Sequence, residues 1–208
     1  MIQLRRSLRH LAALSAVATL PAVAQAQGPI STGHNFNSSF VDLNWGISVN
    51  GSSAYFPAFL VLFAPGAWQG APAGSAWISS NGYDGGHSRA SMSYLARTTF
   101  DLTGYTPSQV SVTFKCGTDN NFGALFLNGV SMADQCGYFS LGNSITWSGT
   151  FNAGVNTIDV SWTGDGISDG VLFDVESVTT SNPVPEPASL ALLATGLLGV
   201  FGVARRRK

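Results

Sequence analysis

Val110-Ser111-Val112-Thr113-Phe114-Lys115-Cys116 alternates apolar and polar residues at every step. Successive side chains of a strand point to opposite faces, so this period of two puts Val110, Val112, Phe114 and Cys116 on one side of a sheet. The pattern returns downstream. Ile145, Trp147 and Phe151 alternate with Thr146, Ser148 and Thr150; Ile158, Val160 and Trp162 with Asp159, Ser161 and Thr163; Val171, Phe173 and Val175 with Leu172, Asp174 and Glu176. Upstream, Val41, Leu43, Trp45, Ile47 and Val49 alternate with Asp42, Asn44, Gly46 and Ser48, and Asn50-Gly51 ends the run with a turn signal. No apolar stripe of helical period competes with these strands. Asn128-Gly129 is a two-residue hairpin turn that sets Leu127 opposite Val130 and, counted outward, Asn121 opposite Cys136. The fold class expected is all-β, an antiparallel β-sandwich, with Trp147 and Trp162 in its core.

Two stretches are less regular. Tyr55 to Phe63 is apolar but interrupted by Pro57, which fits either an edge strand or a buried loop segment. Ala64 to Gly86 is rich in Gly, Pro, Ala and Ser, with Trp68, Trp77 and Tyr83 and room for one short strand near Trp77.

The two ends of the chain are of another kind. Arg5, Arg6 and Arg9 precede an apolar run from Leu11 to Val23, and Ala24-Gln25-Ala26 offers the small residues a signal peptidase accepts, so residues 1–26 read as a signal peptide. At the other end stand Val184-Pro185-Glu186-Pro187, an uncharged apolar run from Ala188 to Ala204, and Arg205-Arg206-Arg207-Lys208. The prolines keep the tripeptide extended and accessible. As a helix, residues 188–204 would span about 25 Å at ~1.5 Å per residue, a minimal transmembrane segment, and the four cations would hold its end in the cytoplasm. Seven of the ten basic residues lie in these ends, leaving Arg89, Arg97 and Lys115 against eleven acids, a charge of −8 for the exported part. Such a surface repels a phosphate backbone, which excludes nucleic acid as a partner. The exported domain, residues 27–182, is long enough to bury one sizeable core.

The tail resembles a PEP-CTERM sorting domain, with Val184, Pro185, Glu186 and Pro187 as the motif and Arg205, Arg206, Arg207 and Lys208 as the topology stop. The resemblance covers roughly Asn182 to Lys208 and rests on tripeptide, span, basic end and terminal position together. It implies a protein of exopolysaccharide-producing bacteria, anchored in the inner membrane, processed there by an exosortase-type membrane enzyme, and passed to the cell surface or beyond. A plain tail anchor behind a Pro-rich linker is the alternative. A second resemblance runs from about Ser93 to Thr179. Thr98-Thr99-Phe100-Asp101-Leu102, Thr118-Asp119-Asn120, the Asn128-Gly129 hairpin, Gly154-Val155-Asn156 and Gly170-Val171-Leu172-Phe173-Asp174-Val175 are similar to galactose-binding-like jelly-roll domains. These motifs imply a fold more than a ligand.

Cys116 and Cys136 are the two cysteines of an exported chain, which favours a disulfide worth roughly 3 kcal/mol in the chain-entropy model for a loop of about 20 residues. If their strands lay side by side the two would be about 10 Å apart, so the connection must curl or the strands must belong to different sheets. Two free buried thiols are the alternative. Asp84, His87 and Ser88 have the residue types of a catalytic triad, but three residues within five positions of a Gly-rich loop do not face one another in the required geometry. Glu176 is the only Glu before the sorting motif, a poor start for a glycosidase pair. Asp165-Gly166-Ile167-Ser168-Asp169-Gly170 concentrates oxygen ligands, so Asp165 and Asp169 are a candidate site for the structural calcium that galactose-binding-like domains often hold; turns built on Asp are the alternative. Trp68, Trp77 and Tyr83 are candidate ligand-binding aromatics for exopolysaccharide, against simple packing of a long loop. The function expected is that of an exported, non-catalytic envelope module that binds or builds extracellular matrix, the runner-up being a small polysaccharide-active hydrolase.

Overall fold

The computed structural model describes residues 28–81 and 92–180. Within them the chain forms eleven strands and one short 3-10 turn, with no α-helix. The strands are β1 (Val41–Val49), β2 (Phe56–Leu60), β3 (Ile78–Ser79), β4 (Met92–Asp101), β5 (Val110–Asp119), β6 (Asn121–Leu127), β7 (Val130–Met132), β8 (Gly137–Tyr138), β9 (Ile145–Ser148), β10 (Val155–Gly164) and β11 (Gly170–Thr180). They make one hydrogen-bonded sheet in the order β7-β6-β10-β4-β1-β2-β3-β11-β5-β8, with β9 also on β5. All the pairings are antiparallel except the short parallel one between β5 and β8. The expected pair of antiparallel sheets is thus corrected to a single mixed sheet that curls. Its two limbs share one core: Trp45 on β1 meets Phe173 on β11 at 5.2 Å between ring centroids, and Phe173 stacks on Phe114 of β5 at 4.4 Å. Tyr94 and Trp162 continue this core at 5.1 Å.

The alternating positions of β5, β9 and β10 are buried as their period requires. Val110, Val112, Phe114, Cys116, Ile145, Trp147, Ile158, Val160 and Trp162 all belong to the core. The Asn128-Gly129 turn pairs Leu127 with Val130 as its two-residue length dictates. The outward count to Cys136 fails. β7 ends at Met132, and Asn121 instead faces Thr163 of β10. Only Asn120 separates β5, which pairs with β11, from β6, which pairs with β10, so the chain changes limb at that point. With β6 gone from beside β5, the segment before β8 closes on β5, and Cys116 and Cys136 form a disulfide with Cα atoms 4.7 Å apart.

At β1 the period breaks. Asp42, expected to face solvent, is buried, whereas Leu43, expected inside, is 57% exposed. Asp42 accepts hydrogen bonds from the backbone N–H of Gly33 (2.6 Å), Asn44 (2.8 Å) and Trp45 (3.0 Å), so three backbone donors draw the carboxylate inward at an irregularity in the β1–β2 register. Burial still lifts its pKa above the ordinary value, although those donors pull the other way. Pro57 lies opposite Gly46 beside the same irregularity, where a missing N–H disturbs the ladder least. β2 is therefore a strand, and it links the two limbs through β3.

Candidate functional site

The open face of the β1–β4–β10 limb carries a charged centre. The ladders set Arg97 on β4 between Gly46 on β1 and Asp159 on β10. Its guanidinium grips Asp159 through Nε to Oδ1 at 2.6 Å and Nη2 to Oδ2 at 3.0 Å, a two-point contact that fixes the plane of the group. Gly46 contributes no side chain, and its Cα faces Cβ of Tyr55 so closely that a methyl group there would come within 3.3 Å. The Tyr55 ring can therefore lie 4.6 Å from Arg97 Cζ, and its hydroxyl donates to Asp159 Oδ1 at 3.4 Å. The Asp159 side chain is 2% exposed and that of Arg97 37%. The hydrogen bond to Asp159 raises the Arg97 pKa further, and burial, then the Asp159 charge, raises that of Tyr55, so Arg97 is a cation and Tyr55 neutral at neutral pH.

A groove of about 430 Å³ opens over this centre, lined by Leu43, Asn44, Gly46, Tyr55, Arg97 and Thr99. A second of about 310 Å³ adjoins it, sharing Asn44 and Thr99 and reaching Asp101 and Val155. Together they form a shallow trough with a flat ring, an amide, hydroxyls and two exposed aliphatic side chains. Asn44 Oδ1 has no hydrogen-bond donor within reach among the described residues. This mixture of apolar faces and hydrogen-bonding groups suits a polyhydroxylated ligand.

The aromatics singled out in the sequence lie elsewhere. Trp68 and Trp77 are buried, 7% and 3% exposed, and pack on each other at 4.4 Å and on Leu172, forming a second small core on the far face of β11. Their indole N–H groups are consumed inside the protein, by Asp119 Oδ2 at 2.6 Å and by the Gln69 carbonyl at 2.9 Å. The expectation that they offer open stacking faces is corrected: the Gly-rich stretch needs its own apolar anchors, and these are the anchors. Tyr83 and the Asp84-His87-Ser88 cluster lie outside the described residues, as do residues 1–26, the sorting motif Val184–Pro187, the run 188–204 and the basic end 205–208. Asp165 is exposed and accepts the Ile167 N–H and the Asn120 amide, whereas Asp169 is buried beside the Ser79 hydroxyl. Among the described residues no three His, Cys, Asp or Glu side chains group to hold a metal, so the calcium expected from Asp165 and Asp169 finds no such ligand set.

Tyr55, Arg97 and Asp159 escaped the sequence reading. The signal was present in Arg97 and Asp159, opposite charges at the polar positions of two strands in an exported domain with very few cations, but their adjacency depends on a strand pairing 62 residues apart.

An all-β module with an open polar trough is the class that the fold and groove define. Residues 183–208 match the PEP-CTERM protein-sorting motif. That motif supports an exported protein sorted by way of an exosortase, a membrane enzyme. No curated protein and no solved structure matches the chain.

Proposed function

We propose that the exported domain is a non-catalytic glycan-binding module, delivered to the envelope by its sorting tail and retained there by exopolysaccharide. In this reading a signal peptidase cuts after Ala26, residues 188–204 hold the protein in the inner membrane while the exosortase acts at Pro185-Glu186-Pro187, and the domain then works at the cell surface. The observation that carries the binding role is the trough over Tyr55 and Arg97. An exposed face with an aromatic ring braced by a fixed guanidinium presents a rigid surface, and rigid surfaces lose little entropy when a ligand settles on them.

Tyr55→Ala tests it. The ring's partners stay satisfied, because Arg97 and Asp159 remain bonded to each other, so the variant should melt within a few degrees of the native chain. Retardation of the full chain in mild detergent on gels containing the producer's own exopolysaccharide should weaken about tenfold, near 1.4 kcal/mol. Equal retardation of variant and native chain would remove the groove from the function.

A further inference from the structure

The trough also discriminates by charge and by length. Arg97 and Lys115 are the only Lys or Arg among the described residues. Each is already held by a carboxylate at 2.6 Å, Arg97 by Asp159 and Lys115 by Glu176. Asp159 already compensates the Arg97 charge, so an incoming carboxylate or sulfate gains little net attraction there, and drawing Arg97 away would leave the almost completely buried Asp159 as an uncompensated charge, a costly exchange. The other charged group lining the trough is Asp101, whose carboxylate accepts the Thr103 hydroxyl at 2.7 Å and backbone N–H at 2.8 Å. Those two bonds lower its pKa and keep it an anion. The floor is therefore neutral at one end and negative at the other, on a domain of net negative charge.

Polar groups run the whole way. Tyr55 and Arg97 lie at one end, Asn44 and Thr99 in the middle, and Asp101 at the other. Each half has one exposed aliphatic side chain, Leu43 (57% exposed) and Val155 (61%). From Arg97 to Asp101 along β4 is four residue steps, about 13 Å at ~3.3 Å each, before the offset to Tyr55 is added. That is longer than one sugar ring.

We infer that the ligand is an uncharged glycan, bound along several consecutive units of its chain and not at a single terminal sugar. This rests on the glycan-binding reading and narrows it to one substrate class. Among the described residues an acidic polymer meets no Lys or Arg that a carboxylate does not already hold, and it faces Asp101; a neutral one meets hydroxyl, amide and aliphatic groups in turn.

The test uses the full chain in mild detergent on native gels containing either a neutral β-glucan or polygalacturonate, and titrations with neutral oligosaccharides of increasing length. Retardation by the neutral polymer alone, little changed by salt, is expected, with affinity rising from disaccharide to tetrasaccharide. Val155→Asp, on an exposed side chain, should weaken the tetrasaccharide about tenfold and leave the disaccharide bound at the Tyr55 end unaffected. Retardation by polygalacturonate alone, or by both polymers equally, would overturn the inference while leaving a glycan-binding module in place. A disaccharide that binds as tightly as the tetrasaccharide would overturn the lengthwise reading. Binding of neither polymer, nor of the oligosaccharides, would overturn the glycan-binding reading itself.

Discussion

Asp119 shows what a single residue contributes that its neighbours in sequence do not announce. In the chain it reads as the first of an Asp-Asn-Asn turn; in the fold it is 2% exposed, bonded to the Trp68 indole from 51 residues away, with no donor to Oδ1 among the described residues. Burial pushes its pKa up to about 6, against a tempering bond from Trp68 and with the nearby Asp165 charge adding to the rise. The folded state thus holds the proton more tightly than the unfolded chain. Its stabilising contribution is complete below about pH 4 and is lost as pH climbs through about 6, a change of about 3 kcal/mol. Thermal melts between pH 4 and pH 8 should show stability falling across that window. Asp119→Asn should flatten most of the slope, leaving the part that comes from Asp42, whose pKa burial raises in the same sense. A native chain equally stable at both ends of the range would contradict this protonation.

At the level of elements, what could be read from the sequence was what is local. The β6–β7 hairpin was legible because its turn residues dictate its geometry: Asn128 and Gly129 both have positive φ, 53° and 79°, as a two-residue turn between right-twisting strands requires. Asn128 also ties the turn to β10, donating to Asn156 Oδ1 at 2.9 Å and accepting the Thr157 N–H at 2.9 Å. No atom lies within 4 Å of where a Cβ at Gly129 would stand, so Gly129→Ala meets no clash and should cost about 1 kcal/mol through backbone conformation alone. Chemical denaturation reads that cost, and a D-alanine at the same position in a semisynthetic chain should recover it; an L-alanine variant of native stability would mean the turn is of another type. Nothing local marks Asn120 as the place where the chain changes limb, nor tells Asp42 that three backbone donors will draw it inside. The same limit hid the groove over Arg97, since Tyr55, Arg97 and Asp159 sit on segments that only the sheet order brings together. The buried Trp68 and Trp77 failed for the opposite reason. A Gly- and Pro-rich stretch suggests exposure, yet Gly170 leaves space for the Trp68 ring to close on β11, where a methyl group would come within 2.7 Å of it.

For the whole molecule, the disulfide and the tail describe one itinerary. Cys116–Cys136 joins the β5 limb to the segment that returns from the β6–β7 hairpin, and such bonds form and persist in the oxidising space outside the cytoplasm. Export must therefore precede the mature fold, and the tail governs the steps after export. Its cations, Arg205 to Lys208, favour the cytoplasmic side, which would set Pro185-Glu186-Pro187 just outside the membrane, within reach of a membrane-embedded processing enzyme. Replacing Pro185, Glu186 and Pro187 by alanines alters neither the apolar run nor the basic end, so anchoring should survive while recognition is lost. The variant should accumulate in the inner-membrane fraction with its tail intact by mass spectrometry, and under the proposed sorting the native protein should appear at the surface instead. Tyr55→Ala separates the two proposed roles: under the glycan-binding proposal it should be processed like the native chain and then wash from the cells more readily. Surface delivery of the alanine variant at native levels would refute recognition through the motif, and a Tyr55→Ala protein retained as firmly as the native one would leave sorting intact and remove the glycan from the account.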